Sequence, residues 1–106
     1  MRRSSEPRVS VVIPAYNAQD FISETLESAL NQSFRSFEII VVDDGSTDGT
    51  HAIVDKYCDR GVTLLTQPNA GIGSARNCAL SVARGELIAL LDSDDLWEPS
   101  PIPSFR

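Results

Sequence analysis

Six aspartates in two tight groups are the residues of this sequence best suited to chemistry: Asp43, Asp44 and Asp48, then Asp92, Asp94 and Asp95. Bunched carboxylates repel one another, and a bound cation or a hydrogen-bonded ligand relieves that repulsion. Asp92 and Asp94 are two apart, so in an extended segment they project the same way. Mg²⁺ or the similarly hard Mn²⁺ is held by one or two carboxylates together with phosphate oxygens and water. A tripeptide of this kind is a weak signal alone and a moderate one after the apolar run Leu87 to Leu91. A solvated, turn-rich acidic surface is the plain alternative. A second group, Asn69-Ala70-Gly71-Ile72-Gly73-Ser74-Ala75-Arg76-Asn77, is a glycine-containing loop opening a helix. Its backbone N–H groups suit an anion, and Arg76 adds a charged fork. A loop glycine pair with a surface arginine is an equal reading of that segment alone. It is not a dinucleotide fingerprint, because the third glycine is missing and the loop follows the third strand.

These groups need elements to position them. Val9 to Ile13, closed by Pro14, reads as a buried strand, and Phe37 to Val42, Val62 to Leu65 and Leu87 to Leu91 read as further strands. Between them, Phe21, Ile22, Leu26, Ala29 and Leu30 share one helical face. Asn17 or Asp20 is expected to cap that helix, and Ser46, Thr47 or Asp48 the next. In the second helix Ile53, Tyr57, Ala52 and Cys58 are expected to face inward. A third helix is expected from Ser74 to Ala83, with Ala75, Ala79, Val82 and Ala83 inside and Gly85 as a left-handed terminator. The order βαβαβαβ predicts an α/β fold with a mainly parallel sheet covered on both faces and right-handed crossovers. If the strands lie 3-2-1-4, Pro14-Ala15-Tyr16-Asn17, Asp43-Asp44-Gly45-Ser46 and Asp92-Ser93-Asp94-Asp95 all follow strand ends at one rim. Ligands bind there in such sheets. Turn chemistry explains any one of these clusters, but three together argue for a site.

Composition narrows the partners. Hydrophobic residues make up 42% and charged residues 23%, an ordinary globular balance. Nine basic against fifteen acidic residues leave a net charge of −6, which disfavours nucleic acid. Cys58 and Cys78 show neither a metal-ligand spacing nor a disulfide framework and read as buried thiols in a reducing compartment. No apolar run is long enough to span a bilayer. Residues 1–8 read as a disordered basic leader, 9–97 as the folded unit and 98–106 as a proline-rich irregular tail. His51 is expected at the surface without a role, and Trp97 is expected to pack under the second aspartate group.

Ser10-Val-Val-Ile-Pro-Ala-Tyr-Asn17, Val42-Asp-Asp-Gly-Ser-Thr-Asp48, Asn69-x-Gly71-x-x-x-Ala75-Arg76-Asn77 and Leu91-Asp-Ser-Asp-Asp95 resemble, in order, the signatures of family 2 glycosyltransferases. The resemblance covers about Val9 to Trp97. It implies a Rossmann-like GT-A fold, a three-layer sandwich of which this chain is the N-terminal, nucleotide-sugar-binding half. It also implies a nucleoside-diphosphate-sugar donor, most often a UDP-sugar, a divalent Mg²⁺ or Mn²⁺ ion, inversion at the anomeric carbon, and a glycan, lipid or protein acceptor, as in cell-envelope polysaccharide synthesis. By the same resemblance Pro14, Ala15 and Tyr16 line the nucleoside pocket, with Asn17 at its edge. Asp44 accepts a hydrogen bond from the base, with Asp43 beside it. Asn69, Gly71 and Arg76 lie near the ribose or diphosphate. Asp92 and Ser93 meet the substrate, and Asp92 and Asp94 the metal. The location expected is cytoplasmic, with a peripheral position on the inner face of a membrane as the variant.

The family's carboxylate base normally lies well beyond the metal motif, and no candidate for it is found in this sequence. Glu98-Pro-Ser-Pro-Ile-Pro103 stands where a helix rich in Lys and Leu usually continues. The expectation is therefore a truncated enzyme that binds donor without turnover. Two alternatives compete. One is a non-catalytic nucleotide-binding or interaction module. The other is a haloacid-dehalogenase-type phosphotransferase with Asp92 as nucleophile, which Leu96 and Trp97 fit poorly.

Overall fold

The computed structural model describes residues 9–31 and 37–91. The expected leader and tail, together with Asp92, Ser93, Asp94, Asp95 and Trp97, lie outside the described residues. Four parallel strands form one sheet: β1 (Val9–Ala15), β2 (Phe37–Asp43), β3 (Val62–Thr66) and β4 (Leu87–Leu90). Their order is β3-β2-β1-β4, the 3-2-1-4 arrangement that places ligands at the carboxyl rim. β1 and β2 pair in full from Val9↔Phe37 to Ala15↔Asp43, while β4 pairs only with Val9 to Val12.

β1 does not stop at Pro14 as the sequence suggests but runs through it. The Val12 carbonyl accepts from the Leu91 N–H at 3.0 Å, so Pro14, two residues on, faces the same flank. β4 has ended there, and the missing proline N–H interrupts no described ladder bond.

The helices divide between the faces. Ile22, Leu26 and Ala29 of α1 (Ile22–Leu30) and Val54 of α2 (Thr50–Asp55) pack with Val9, Val11, Ile13, Ile39 and Val41. On the other face Ala75 and Ala79 of α3 (Ile72–Leu80) pack on Val12, Ile40 and Val42. Right-handed crossovers require this division, because the chain reverses direction across the sheet after β3. Both faces of β1 are therefore buried, which explains its unbroken apolar run.

Several local expectations are corrected. Phe21 sits at the N-cap of α1, not within it, and is 51% exposed. No side chain caps α1, so neither Asn17 nor Asp20 holds the first helix, whereas Asp48 accepts the Thr50 N–H that opens α2. Ala52 and Cys58 point outward, and Val54 supplies the inward contact of α2 instead. Cys58 lies in a short 3₁₀ turn, Cys58–Arg60, after α2 has already ended. α3 begins two residues before Ser74, and Val82 lies beyond its end and is exposed.

Gly85 is not a left-handed terminator, since its φ is not positive. It is needed for closeness. A Cβ there would lie 2.6 Å from the Ser10 nitrogen and 2.7 Å from the Val9 carbonyl carbon. Its N–H donates to the Ser10 hydroxyl at 2.8 Å, and that hydroxyl donates to the Glu38 carboxylate at 2.6 Å. The Arg84 N–H donates to the same Glu38 oxygen at 2.7 Å. The fully buried Ser10 is thereby satisfied, and the amino-terminal rim of the sheet is tied across β2, β1 and the approach to β4.

Candidate functional site

At the opposite rim, the ends of β1 and β2 are joined by one further bond, from the Asp44 N–H to the Ala15 carbonyl at 2.8 Å. Beyond it the two loops are stitched by side chains. Asn17 Oδ1 accepts from the Thr47 N–H at 2.8 Å, and the Asn17 N–H donates to Ser46 Oγ at 2.9 Å. The Ala18 N–H donates to the buried Thr50 hydroxyl at 2.8 Å, and the Gly49 N–H to Gln19 Oε1 at 2.7 Å. Asp48 accepts from both the hydroxyl and the N–H of Thr50. Burial pushes the Asp48 carboxyl up, but the hydrogen bonds from Thr50 and the Gln19 N–H together hold it below the usual carboxylate range. Asn17, with φ of 49°, is therefore a loop brace. Asparagine tolerates this conformation better than most residues and can bond locally.

Asp44 is the centre of the arrangement. Its carboxylate is buried and accepts four N–H groups: Gln67 Nε2 at 2.8 Å and Ala70 N at 2.8 Å on Oδ1, Gly71 N at 2.9 Å and Asn69 Nδ2 at 3.2 Å on Oδ2. Asn69 Nδ2 also donates to the Asp44 carbonyl at 3.0 Å. A carboxylate offers about four lone-pair positions, so this one is full. The whole turn from β3 into α3 is folded around it. Gly45 permits the approach: its φ is 77°, and a Cβ there would lie 2.6 Å from the Asn69 nitrogen.

The Gln67 amide holds the Asp44 carboxyl below the usual carboxylate range; burial opposes this, and the Ala70 and Gly71 N–H groups reinforce it. A depressed carboxyl contributes stability that is complete above its unfolded pKa and is lost as pH falls through its folded pKa. The melting temperature of the native chain should therefore fall as pH drops below about 4, and the gap between it and Asp44→Asn should narrow over the same range. Thermal melts of both proteins against pH check this, and a gap that stays constant into acid contradicts it.

Asp43, also buried, accepts from the Ser46 N–H at 2.9 Å and meets His51 Nδ1 at 3.4 Å. It supports its own loop and does not line the cleft at these strand tips. His51, expected to have no role, is 54% exposed at its side chain yet reaches this aspartate.

A cleft of about 180 Å³ opens beside these tips, lined by Pro14, Ala15, Tyr16, Asp44, Ile72 and Ala75. Tyr16 and Ile72 are 50% and 53% exposed, two apolar side chains left open at its mouth. The structure thus brings Pro14, Ala15, Tyr16 and Asp44 to one cavity. Asn69 and Gly71 are fastened to Asp44, and Arg76 stands half-buried on α3 next to Ala75. Asn17 and Asp43 brace the loops. The expected convergence is therefore visible for the first two strand tips. The third stops at Leu91, bonded to Val12, with Asp92, Ser93 and Asp94 outside the described residues. Among the described residues no group of three His, Cys, Asp or Glu side chains could hold a metal ion.

Two participants escaped the sequence reading. Ile72 looked like an anonymous loop position. Gln67 follows β3 as Asp44 follows β2, so the strand-end rule, applied to that strand too, would have found it.

This geometry has counterparts in known proteins. The model of "Glycosyl transferase family 2" matches residues 10–105. An Escherichia coli UDP-Glc:alpha-D-GlcNAc-diphosphoundecaprenol beta-1,3-glucosyltransferase is 47% identical over 95 residues, covering 89% of this chain and 38% of that protein. The crystal structure of Staphylococcus aureus TarS 1-349 in complex with UDP superposes with a TM-score of 0.83 at 40% identity, over 88% of this chain and 29% of that one. A Pyrobaculum calidifontis mannosyltransferase in complex with GDP-Man and Mn2+ superposes at 0.81 with 35% identity, over 87% of this chain and 29% of the other. The sheet and its interspersed helices are thus those of the GT-A fold, and the chain spans well under half the length of each of these three proteins.

Proposed function

The chain belongs to the family 2 glycosyltransferases, and on that premise we propose that it binds the nucleotide of a nucleoside-diphosphate sugar, UDP-linked, in the cleft at the ends of β1 and β2. The observation that carries this reading is the cavity lined by Pro14, Ala15, Tyr16, Asp44, Ile72 and Ala75 at the carboxyl rim of a 3-2-1-4 sheet. The complexes of its relatives with UDP and with GDP-Man support a nucleotide as occupant. In this reading the base lies against Tyr16 and Ile72. A base N–H reaches Asp44 by exchange with the Asn69 amide, which falls back on the Asp44 carbonyl it already touches at 3.0 Å. Such an exchange leaves no buried donor unsatisfied, which keeps its cost low. Gly71 and Arg76 stand toward the ribose or diphosphate. Membership of this family sets aside the phosphotransferase alternative.

We assign a Mg²⁺ or Mn²⁺ ion to Asp92 and Asp94, with Ser93 toward the substrate; two carboxylates with diphosphate oxygens and water form a suitable hard-ligand shell. The ion, when bound, spreads the negative charge that develops on the leaving diphosphate. Transfer with inversion needs a carboxylate to take the proton of the acceptor hydroxyl, on a glycan, lipid or protein. That role is assigned to no residue of this chain, so these 106 residues alone are expected to bind donor without transferring its sugar. No described helix is long and apolar enough to cross a membrane. Free Cys58 and Cys78 accord with a cytoplasmic setting, the location proposed here.

Calorimetric titration with UDP, with and without Mn²⁺, tests the proposal. Binding should strengthen with the metal and fall about ten-fold or more in Asp94→Ala. UDP binding indifferent to both metal and Asp94 would remove the metal assignment, and no binding of UDP or GDP by a folded chain would remove the nucleotide reading.

A further inference from the structure

The cleft has two walls on different elements. Asp44 belongs to the tip of β2, whereas Ile72 and Ala75 belong to α3. Gln67 spans them. Its Nε2 donates to Asp44 Oδ1 at 2.8 Å and to Ser74 Oγ, in the first turn of α3, at 3.3 Å. An ionised carboxylate only accepts, so the amide nitrogen and not its oxygen must face Asp44. The residue is itself immobilised, because the Gln67 N–H donates to the Asp43 carbonyl at 3.0 Å and so continues the β2–β3 ladder. A side chain rooted in the sheet thus grips both walls without lining the cavity.

We propose that Gln67 is a positioning residue, which sets the spacing between Asp44 and the start of α3 and thereby the affinity of the cleft for a nucleotide. The binding half of this inference rests on the nucleotide reading above; the anchoring half does not. Shortening the side chain removes the bridge. Replacing it with glutamate keeps its length but sets two carboxylates face to face, and the pair can bridge again only when it shares a proton.

The test uses the full chain with UDP as probe and has two arms. In the first, Gln67→Ala and Gln67→Glu should each weaken UDP binding about ten-fold near pH 8. Each affinity is taken relative to the native chain at the same pH, which removes the titration of the diphosphate itself. Toward about pH 5.5, Gln67→Glu should recover to within about three-fold of the native chain, because the pair then takes up a proton, while Gln67→Ala should not recover. In the second arm, backbone amide exchange of Ala70 and Gly71 in the unliganded protein should accelerate in both variants near pH 8, and in Gln67→Glu should slow again, relative to the native chain, in acid. Variants that bind UDP as the native chain does, or a Gln67→Glu that stays as weak as Gln67→Ala at both pH values, overturn the positioning role. Unchanged exchange at Ala70 and Gly71 overturns the anchoring. Should the native chain bind no nucleotide, the nucleotide reading fails, and the exchange arm still decides whether Gln67 holds the turn.

Discussion

Replacing Asp44 by alanine is expected to weaken UDP binding at least about a hundred-fold and to lower the stability of the chain by about 3 kcal/mol. Both effects have one origin. Four N–H donors converge on this buried carboxylate, and two of them, on Ala70 and Gly71, are backbone groups that cannot turn away without refolding the loop. Removing the acceptor strands them, and a stranded donor costs more than its bond contributed. The loop then leaves the cleft, taking the first turn of α3 with it. Asp44→Asn keeps the shape but turns an NH₂ group toward N–H donors, so it should come close to alanine in its effect on binding. Isothermal titration and urea melts of the two variants are the measurement. An Asp44→Asn protein with native affinity would show that acceptor chemistry at this position is not what shapes the cleft.

The second large effect is expected far from any ligand. Gly85→Ala should cost about 3 kcal/mol, a fall of roughly 15 °C in melting temperature for a domain this small. The added methyl would meet the Ser10 nitrogen and the Val9 carbonyl carbon at 2.6 and 2.7 Å. Both atoms are backbone of β1, which is paired on one side with β2 and on the other with β4. Neither can retreat without breaking a ladder. Gly61→Ala is the informative control. It has a left-handed φ of 93° but nothing within 4 Å of its added carbon. It should therefore lose only about 1 kcal/mol, the conformational cost. Scanning calorimetry of the pair separates collision from backbone preference, and equal losses would refute the close-approach account.

The sheet was legible because each strand is a compact, largely apolar run ended by polar residues. That pattern survives with no knowledge of tertiary contacts. Alternating elements pointed to a parallel sheet; the order 3-2-1-4 was only a condition of the site argument, and the sheet meets it. The cleft was legible for the same reason at Pro14, Ala15, Tyr16 and Asp44. What stayed hidden depends on three dimensions. Phe21 matches a helical stripe, but helix α1 starts one residue later, and no periodicity marks that step. Gly85 resembles a helix terminator in one dimension, and only the approach of β1 reveals its purpose. Asn17 and Asp43 carry the right chemistry for ligands, yet they accept from loop backbone, Asn17 from the neighbouring loop and Asp43 from its own. Gln67 was legible by position, at the end of β3, but not by role, because an amide looks neutral until a carboxylate 23 positions earlier is known to face it.

The knot formed by Ser10, Glu38, Arg84 and Gly85 touches nothing at the cleft, which lies across the full length of the strands. The rigidity of this rim is thus independent of recognition at the other. A scaffold so divided lets evolution, or an engineer, redraw the binding loops for another cargo while the foundation stays as it is.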